Sequence, residues 1–287
     1  MSLTNTTGAV FIPEMWLPLV QKAREKNLVA AKRVFDVSGY GEVKSKGDVI
    51  HVPKVSNLSA SDKTATSELT MSAFSELEFT LTIDSHKGTR VGIEDITKVQ
   101  SAYDLVSHYS EKVGESLARA LDADILALGT GLSGTVGALA STQVLADTMI
   151  VEALRKLDSA EAPQMDRSII LDAYGLQDMR LIDKFTRYDA VGQAAGGNPI
   201  VNGKFGTIYG VDVYVSNNLV STSAFGGTAT VGLVLHKEAF AYATQMNPKI
   251  EMYRNTPFLR DEIFGQELYG VAEYRDDHGV ALRYGQA

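Results

Sequence analysis

Between residues 76 and 83 the chain alternates strictly, with Leu77, Phe79, Leu81 and Ile83 on one side and Glu76, Glu78, Thr80 and Thr82 on the other. That period of two predicts a half-buried β-strand. A second strand-like run, VIHVPKV, covers 49–55. Between the two lies a stretch, 56–73, with eight Ser or Thr in 18 residues, too polar to build a core of its own. The pattern predicts a long two-stranded ribbon with a polar tip. A lone ribbon is marginal in water, so its apolar stripe must fold back on the body or lie on a neighbouring chain.

A different period governs 100–128. Tyr103, Val106, Tyr109, Val113, Leu117, Ala120, Leu121 and Ile125 recur every three or four residues, which predicts one long helix. It is capped by Asp95 or Ser101 and closed by Gly129. At 1.5 Å per residue it would run about 42 Å. An amphipathic helix is also expected over 13–35, with Met15, Trp16, Leu19, Val20 and Ala23, then Leu28, Ala31 and Val34, on its apolar side. Its basic residues read as a solvated face. Residues 129–143, GTGLSGTVGALASTQ, read as a Gly-rich hinge or loop. Further along, helices are expected at 146–159, 173–182 and 237–244. Strands are expected at 167–171, 205–216, 229–235, 249–253, 266–275 and 279–284. A loop at 183–204 separates the two groups, and QAAGGNPIVNGK is its tip. The fold class is α+β with projecting elements.

Composition removes several classes of function. The 287 residues contain no Cys, which rules out a disulfide framework, a thiolate metal site and a Cys nucleophile. The longest apolar run, Ala239 to Ala243, is five residues, far short of the ~20 a membrane helix needs. The first twelve residues lack the basic and apolar regions of a secretory signal. The net charge of −8 argues against a protein that grips nucleic acid, which Lys and Arg would have to drive.

Candidate chemistry is sparse. Gly129-x-Gly131-x-x-Gly134 matches a dinucleotide fingerprint by letter but follows a predicted helix, where the motif requires a strand. Gly197 to Gly203-Lys204 has five intervening residues where a phosphate loop needs four. The five histidines, His51, His86, His108, His236 and His278, form no sequence-local metal pair and read as surface or half-buried residues. Asp276-Asp277-His278-Gly279 reads as a hairpin turn. Asp122 and Asp124 on the long helix do not share a face. No catalytic, cofactor-binding or metal residue is assigned.

The order of elements resembles the tailed-phage major capsid proteins of the Hong Kong 97 fold. The segment Gly206-Thr-Ile-Tyr-Gly210-Val-Asp-Val-Tyr-Val-Ser216-Asn-Asn-Leu219 is similar to that family's Gly-x-Ile-x-Gly-Phe-x-Val strand followed by Ser-Asn. Ser168–Leu171 with its following helix resembles the opening of the axial domain. Gly279-Val-Ala-Leu-Arg-Tyr-Gly285 resembles the closing strand. The resemblance implies an N-terminal arm at 1–45, an E-loop ribbon at 46–95, a peripheral domain with a spine helix from 96–140 plus 265–287, and an axial domain at 141–264.

The same resemblance implies a non-enzymatic coat protein without cofactors. Its copies would form pentamers and hexamers of an icosahedral shell around double-stranded DNA, without sequence-specific binding. Its partners would be a portal protein and, because the chain opens near the arm, a separate scaffolding protein or none. It would assemble in the bacterial host cytoplasm and reside in the virion. Trp16, Lys63, Leu77, Phe79, Leu81, Gly196, Gly197 and Asn198 are the expected assembly contacts. Gly129, Gly131 and Gly134 are the expected hinge. The alternatives are an encapsulin-type cargo compartment, a soluble α+β enzyme using His51 or His236, or a tail structural protein that forms rings or tubes.

Overall fold

The computed structural model describes residues 29–39, 49–55, 60, 62, 63, 65, 68, 76–101, 105–140, 142–182, 206–224 and 227–285. In chain order the elements are β1 (Phe35–Asp36), β2 (Val49–Val55), β3 (Glu76–Thr82), β4 (Ser85–Glu94), α1 (Asp95–Gln100), α2 (Leu105–Ala127), β5 (Thr135–Val136), α3 (Asp147–Ser159), β6 (Arg167–Leu171), α4 (Ala173–Leu181), β7 (Thr207–Ile208), β8 (Val211–Val215), β9 (Ser221–Ala224), β10 (Gly227–His236), β11 (Phe240–Asn255), β12 (Arg260–Glu273) and β13 (Gly279–Gly285).

Two sheets and a ribbon organise these elements. The peripheral sheet has the order β1-β11-β12-β4, and the ribbon is β2 paired with β3. The axial sheet has the order β5-β13-β10-β6-β8-β7, with β9 also on β10. Its strand β6, RSIIL, is buried at every position. Ile169 and Leu171 face a core shared with α3 and α4. Ile170 faces the opposite core, where the axial sheet meets the end of α2 and the peripheral sheet through Leu121, Ile125, Leu126, Leu233, Phe240 and Tyr269. A strand covered on both sides carries a continuous apolar run, which is how it reads in the sequence.

The helix α2 spans 23 residues, about 34 Å at 1.5 Å per residue. Val113 packs with Ile93 and Ile263 under its first half. Within the expected 100–128 helix the described helix is Leu105–Ala127, and a separate helix, α1, precedes it and ends where Ser101 takes an extended backbone. Asp95 therefore opens α1 and does not cap the long helix.

Several other expectations change. Residues 240–244, read as part of a helix, begin the 16-residue strand β11; the run AYA places Ala241 and Ala243 under the ribbon while Phe240 faces the core between the sheets. Strand β4 went unseen. Residues 276–279 are not a hairpin turn, because β12 and β13 belong to different sheets and a 3-10 turn at Asp276–His278 carries the chain across. That crossing also bears on the expected boundaries. Strand β11 and the start of β12, expected within 141–264, share a sheet with β4, since β11 pairs with β12 along its length and β12 pairs with β4. Strand β13 belongs to the axial sheet, paired with β10, and β5 joins it there. Of the expected 13–35 helix, the described end is a 3-10 turn at Ala30–Lys32 followed by β1, which pairs parallel to β11.

Candidate functional site

The ribbon is seated on its own subunit. Its base pairs Ile50 with Leu81 and Val52 with Phe79. Ile50, Leu81 and Ile83 are buried together with Val37, Ala241 and Ala243. The Phe79 ring meets Tyr274 edge-on at 5.0 Å between centroids, a favoured aromatic geometry. The seat exists because Gly270 on β12 lies directly beneath the chain at Thr82; a Cβ there would collide with the Thr82 carbonyl and come within 3.0 Å of the Ile83 Cα. Leu81 and Phe79, expected to contact a neighbouring chain, therefore pack within the subunit. The stripe folds back on the body at its base, one of the two outcomes the sequence left open. Leu77 sits further out, opposite Lys54, and Lys63 beyond it is exposed. Trp16, Gly196, Gly197 and Asn198 lie outside the described residues.

Besides the pairing of β1 with β11, a buried carboxylate ties down the arm segment at Val29 and Ala30. Asp122 on α2 is fully buried. One oxygen accepts the backbone N–H of Val29 at 3.0 Å and of Ala30 at 2.6 Å. The other accepts from Asn218 Nδ2 at 3.0 Å and from Ser216 Oγ at 3.4 Å. Arm, long helix and axial loop are joined at one residue. Nearby, the Arg33 guanidinium lies 4.1 Å over the Tyr214 ring, a cation–π contact. Asp124, two residues on, serves a separate group: it accepts from Tyr269 Oη at 2.6 Å and pairs with Lys87 at 3.0 Å. As expected from the spacing, the two carboxylates share no site.

At the far end of the β11–β12 hairpin, Glu262 is buried within a polar cluster. Tyr253 and Arg90 donate to one oxygen; Asn255 Nδ2 and Arg260 Nε donate to the other at 2.8 and 2.7 Å. The Tyr253 hydroxyl and the other donors hold its carboxyl down to about 2. Beside this cluster α1 and the hairpin turn expose Ile96 at 68%, Val99 at 84%, Phe258 and Leu259. The Asp95 N–H donates to the Leu259 carbonyl at 3.2 Å, so these apolar residues form one patch. Sequence reading did not single it out, because Ile96 and Val99 fall before the expected 100–128 helix.

The expected hinge glycines are pressed against strands. A Cβ at Gly129 would collide with Leu233, at Gly131 with Glu273, and at Gly134 would come within 2.9 Å of the Gly279 carbonyl. In this conformation they allow the segment after α2 to pack closely against β10, β12 and β13. Gly210 has a different reason. With Tyr209 it forms a two-residue turn between β7 and β8 in which both residues have positive φ, 52° and 80°, the geometry that matches hairpin twist. Tyr209 Oη donates to Asp147 at 2.6 Å, and that bond pushes the phenol up to about 12.

Two histidines depart from the surface reading. His236 and His278 are buried, with ring centroids 5.5 Å apart. With Glu238 they form a group of possible metal ligands.

Comparison with known proteins fits this architecture. A family profile described as "Phage capsid protein" matches residues 78–281. A solved structure from Mycobacterium phage Che8 is similar, with 27% identity and a TM-score of 0.78, covering 95% of this chain and 97% of its own. The capsid structure of cyanophage P-SCSP1u aligns with a TM-score of 0.75 at 20% identity, covering 100% and 97%. The asymmetric unit of the bacteriophage PhiM1 mature capsid aligns with a TM-score of 0.70 at 14% identity, covering 96% and 92%. No curated protein matches the chain.

Proposed function

The chain belongs to the phage capsid protein family, with the α+β, Hong Kong 97-like fold of a major capsid protein, and on that premise we propose how it builds a shell. The protein is a structural component of the virion that works by binding copies of itself. The encapsulin, enzyme and tail-protein readings are not favoured beside it. Our reading is that its copies form pentamers and hexamers of an icosahedral shell around double-stranded DNA, assembled in the host cytoplasm with a portal and, where needed, a separate scaffolding protein. Membership of a structural-protein family supports a non-enzymatic role.

The observation that carries the assembly reading is the seated ribbon. Its base is fixed by Ile50, Leu81 and Ile83 on its own peripheral sheet, while the β2–β3 pair continues outward to Val55 and Glu76. A base anchored in the subunit's own core, with the two strands running on beyond it, is the arrangement needed to reach a neighbour without losing that core. Heterologous contacts of this kind must close around symmetry axes to give a shell. We assign the outer ribbon with Leu77 and Lys63, the arm with Trp16, and the 192–204 segment with Gly196, Gly197 and Asn198 to contacts between subunits. The exposed patch of Ile96, Val99, Phe258 and Leu259 joins them, since apolar groups of this exposure are covered in assemblies. The domain division supported by the sheets is peripheral for β1, β4, β11, β12, α1 and α2, and axial for β5 to β10 and β13.

The test is to express the chain alone and with candidate scaffold, and to measure particle size by sedimentation velocity with negative-stain imaging. Closed shells tens of nanometres across are expected. A small oligomer that never closes, even with scaffold, would contradict the reading.

A further inference from the structure

Two of the chain's crossings between the sheets, β10 to β11 and β12 to β13, each carry a buried histidine. The chain leaves β10 at His236 and enters the peripheral sheet at Phe240. It leaves β12 at Glu273 and returns to the axial sheet at Gly279, through the turn holding His278. The two rings, 6% and 4% exposed, lie 5.5 Å apart and are tilted by 56°. Half-buried Glu238 completes the group, with one donor atom from each residue within 4.8 Å of the others. We propose that His236, Glu238 and His278 bind a divalent transition-metal ion, zinc by preference, that ties the two crossings together.

The donor set suits that ion. Two imidazoles and one carboxylate, leaving a fourth position for water, is a common zinc arrangement. Closing on one ion at about 2.0–2.2 Å would bring the donor atoms to roughly 3.4 Å from one another, a small movement from their present spacing. His278 is already oriented: its Nδ1 lies 2.9 Å from Asp277 Oδ1. Donating Nδ1–H to that carboxylate leaves the lone pair on Nε2, the carboxylate–histidine–metal relay seen at many sites. His236 Nδ1 accepts the Glu238 N–H at a long 3.3 Å, a bond an ion can replace.

The surrounding charges are mixed. Arg275 Nε stands 3.4 Å from Glu238 Oε2 without making a hydrogen bond, and it competes for that oxygen. Asp166 favours a cation at His236 and Arg167 opposes it, but Arg167 is held by Asp158 and by the carbonyls of Ala162 and Pro163.

The test uses the full chain, stripped with chelator and dialysed into metal-free buffer. Zn2+ alone is titrated calorimetrically, and Co2+ is followed by its visible spectrum. One ion per chain is expected, with a rise in melting temperature. Asp277, whose side chain is 59% exposed, can be changed without opening the core. Asp277→Asn should weaken binding by about 10–100-fold, and Glu238→Gln should weaken it by at least about 10-fold as one of three ligands is lost. Metal-free melting temperatures confirm that both variants fold. Failure of the wild-type chain to bind stoichiometrically would overturn the proposal, as would affinity unchanged in both variants, which would place the ion on the acidic surface elsewhere.

Discussion

Glu267 and Asp122 are both buried carboxylates, and the fold treats them in opposite ways. Glu267 on β12 stands directly opposite Lys87 in register, yet Lys87 turns its ammonium to Asp124. Glu267 Oε2 is left without a hydrogen-bond partner, and burial pushes its carboxyl up to about 7 from an ordinary 4.5. A folded-state pKa above the unfolded one means the group's share of stability is present below about pH 4.5 and is lost as pH rises through about 7. Glu267→Gln should therefore match wild type near pH 4.5 and exceed it by roughly 1–3 kcal/mol at pH 8. Melting curves of both chains across that range decide it, and a Gln variant less stable at pH 8 would refute the account. Glu262 has the reverse sign: its carboxyl, held to about 2, adds stability above pH 4.5 that falls away only as pH drops through about 2. Asp122, with four donors, should behave as a structural rivet. Asp122→Ala leaves the Val29 and Ala30 N–H groups unpaired and should lower stability by about 1.5–3 kcal/mol, read from urea unfolding, with cleavage near residue 29 in limited proteolysis rising in parallel. None of this was legible in the sequence. The partners of Asp122 lie 92 to 96 residues away, and a carboxylate on a helix carries no local mark of what will face it.

Elements whose environment is uniform were easy to read. Strand β6 is covered on both faces and β3 on one, and each prints its burial as a simple pattern; the expected 167–171 and 49–55 match the observed strands. Strand β4, SHKGTRVGIE, hides its pattern because its polar residues are engaged: Lys87 with Asp124, Thr89 with Ser116 at 3.1 Å, and Arg90 with Glu262. Strand β11 misled for the opposite reason, since small apolar residues in a row satisfy either period. Two glycines test what the elements require. At Gly210 a Cβ meets nothing within 4 Å but φ is +80°, so Gly210→Ala should lose about 1–2 kcal/mol through backbone conformation alone, with no effect on assembly once folded. At Gly270 the conformation is ordinary and the obstacle is the ribbon. Gly270→Ala should lift the ribbon from its seat, raise hydrogen exchange in β2 and β3, and impair shell closure in a chain that still folds. Normal shells with unchanged exchange would show that Gly270 does not set the ribbon's position.

Across the whole molecule, the two sheets are joined by a shared core around Leu233, Phe240 and Tyr269 and by the crossings at 237–239 and 274–278. The family resemblance identified the order of parts, but the division of residues between the sheets needed strand pairing, because β10, β11, β12 and β13 follow one another in sequence while the chain crosses to the other sheet after β10 and back after β12. The ribbon belongs to both levels: part of the subunit's core at its base and, in our account, part of a neighbour's surface at its tip. A cryo-electron microscopy reconstruction of assembled shells addresses that claim most directly. The account predicts that Leu81 and Phe79 remain against Tyr274 of their own subunit while Leu77 and Lys63 lie across an adjacent one. Ribbons that touch only their own subunit, or that swing off Gly270 entirely, would contradict it.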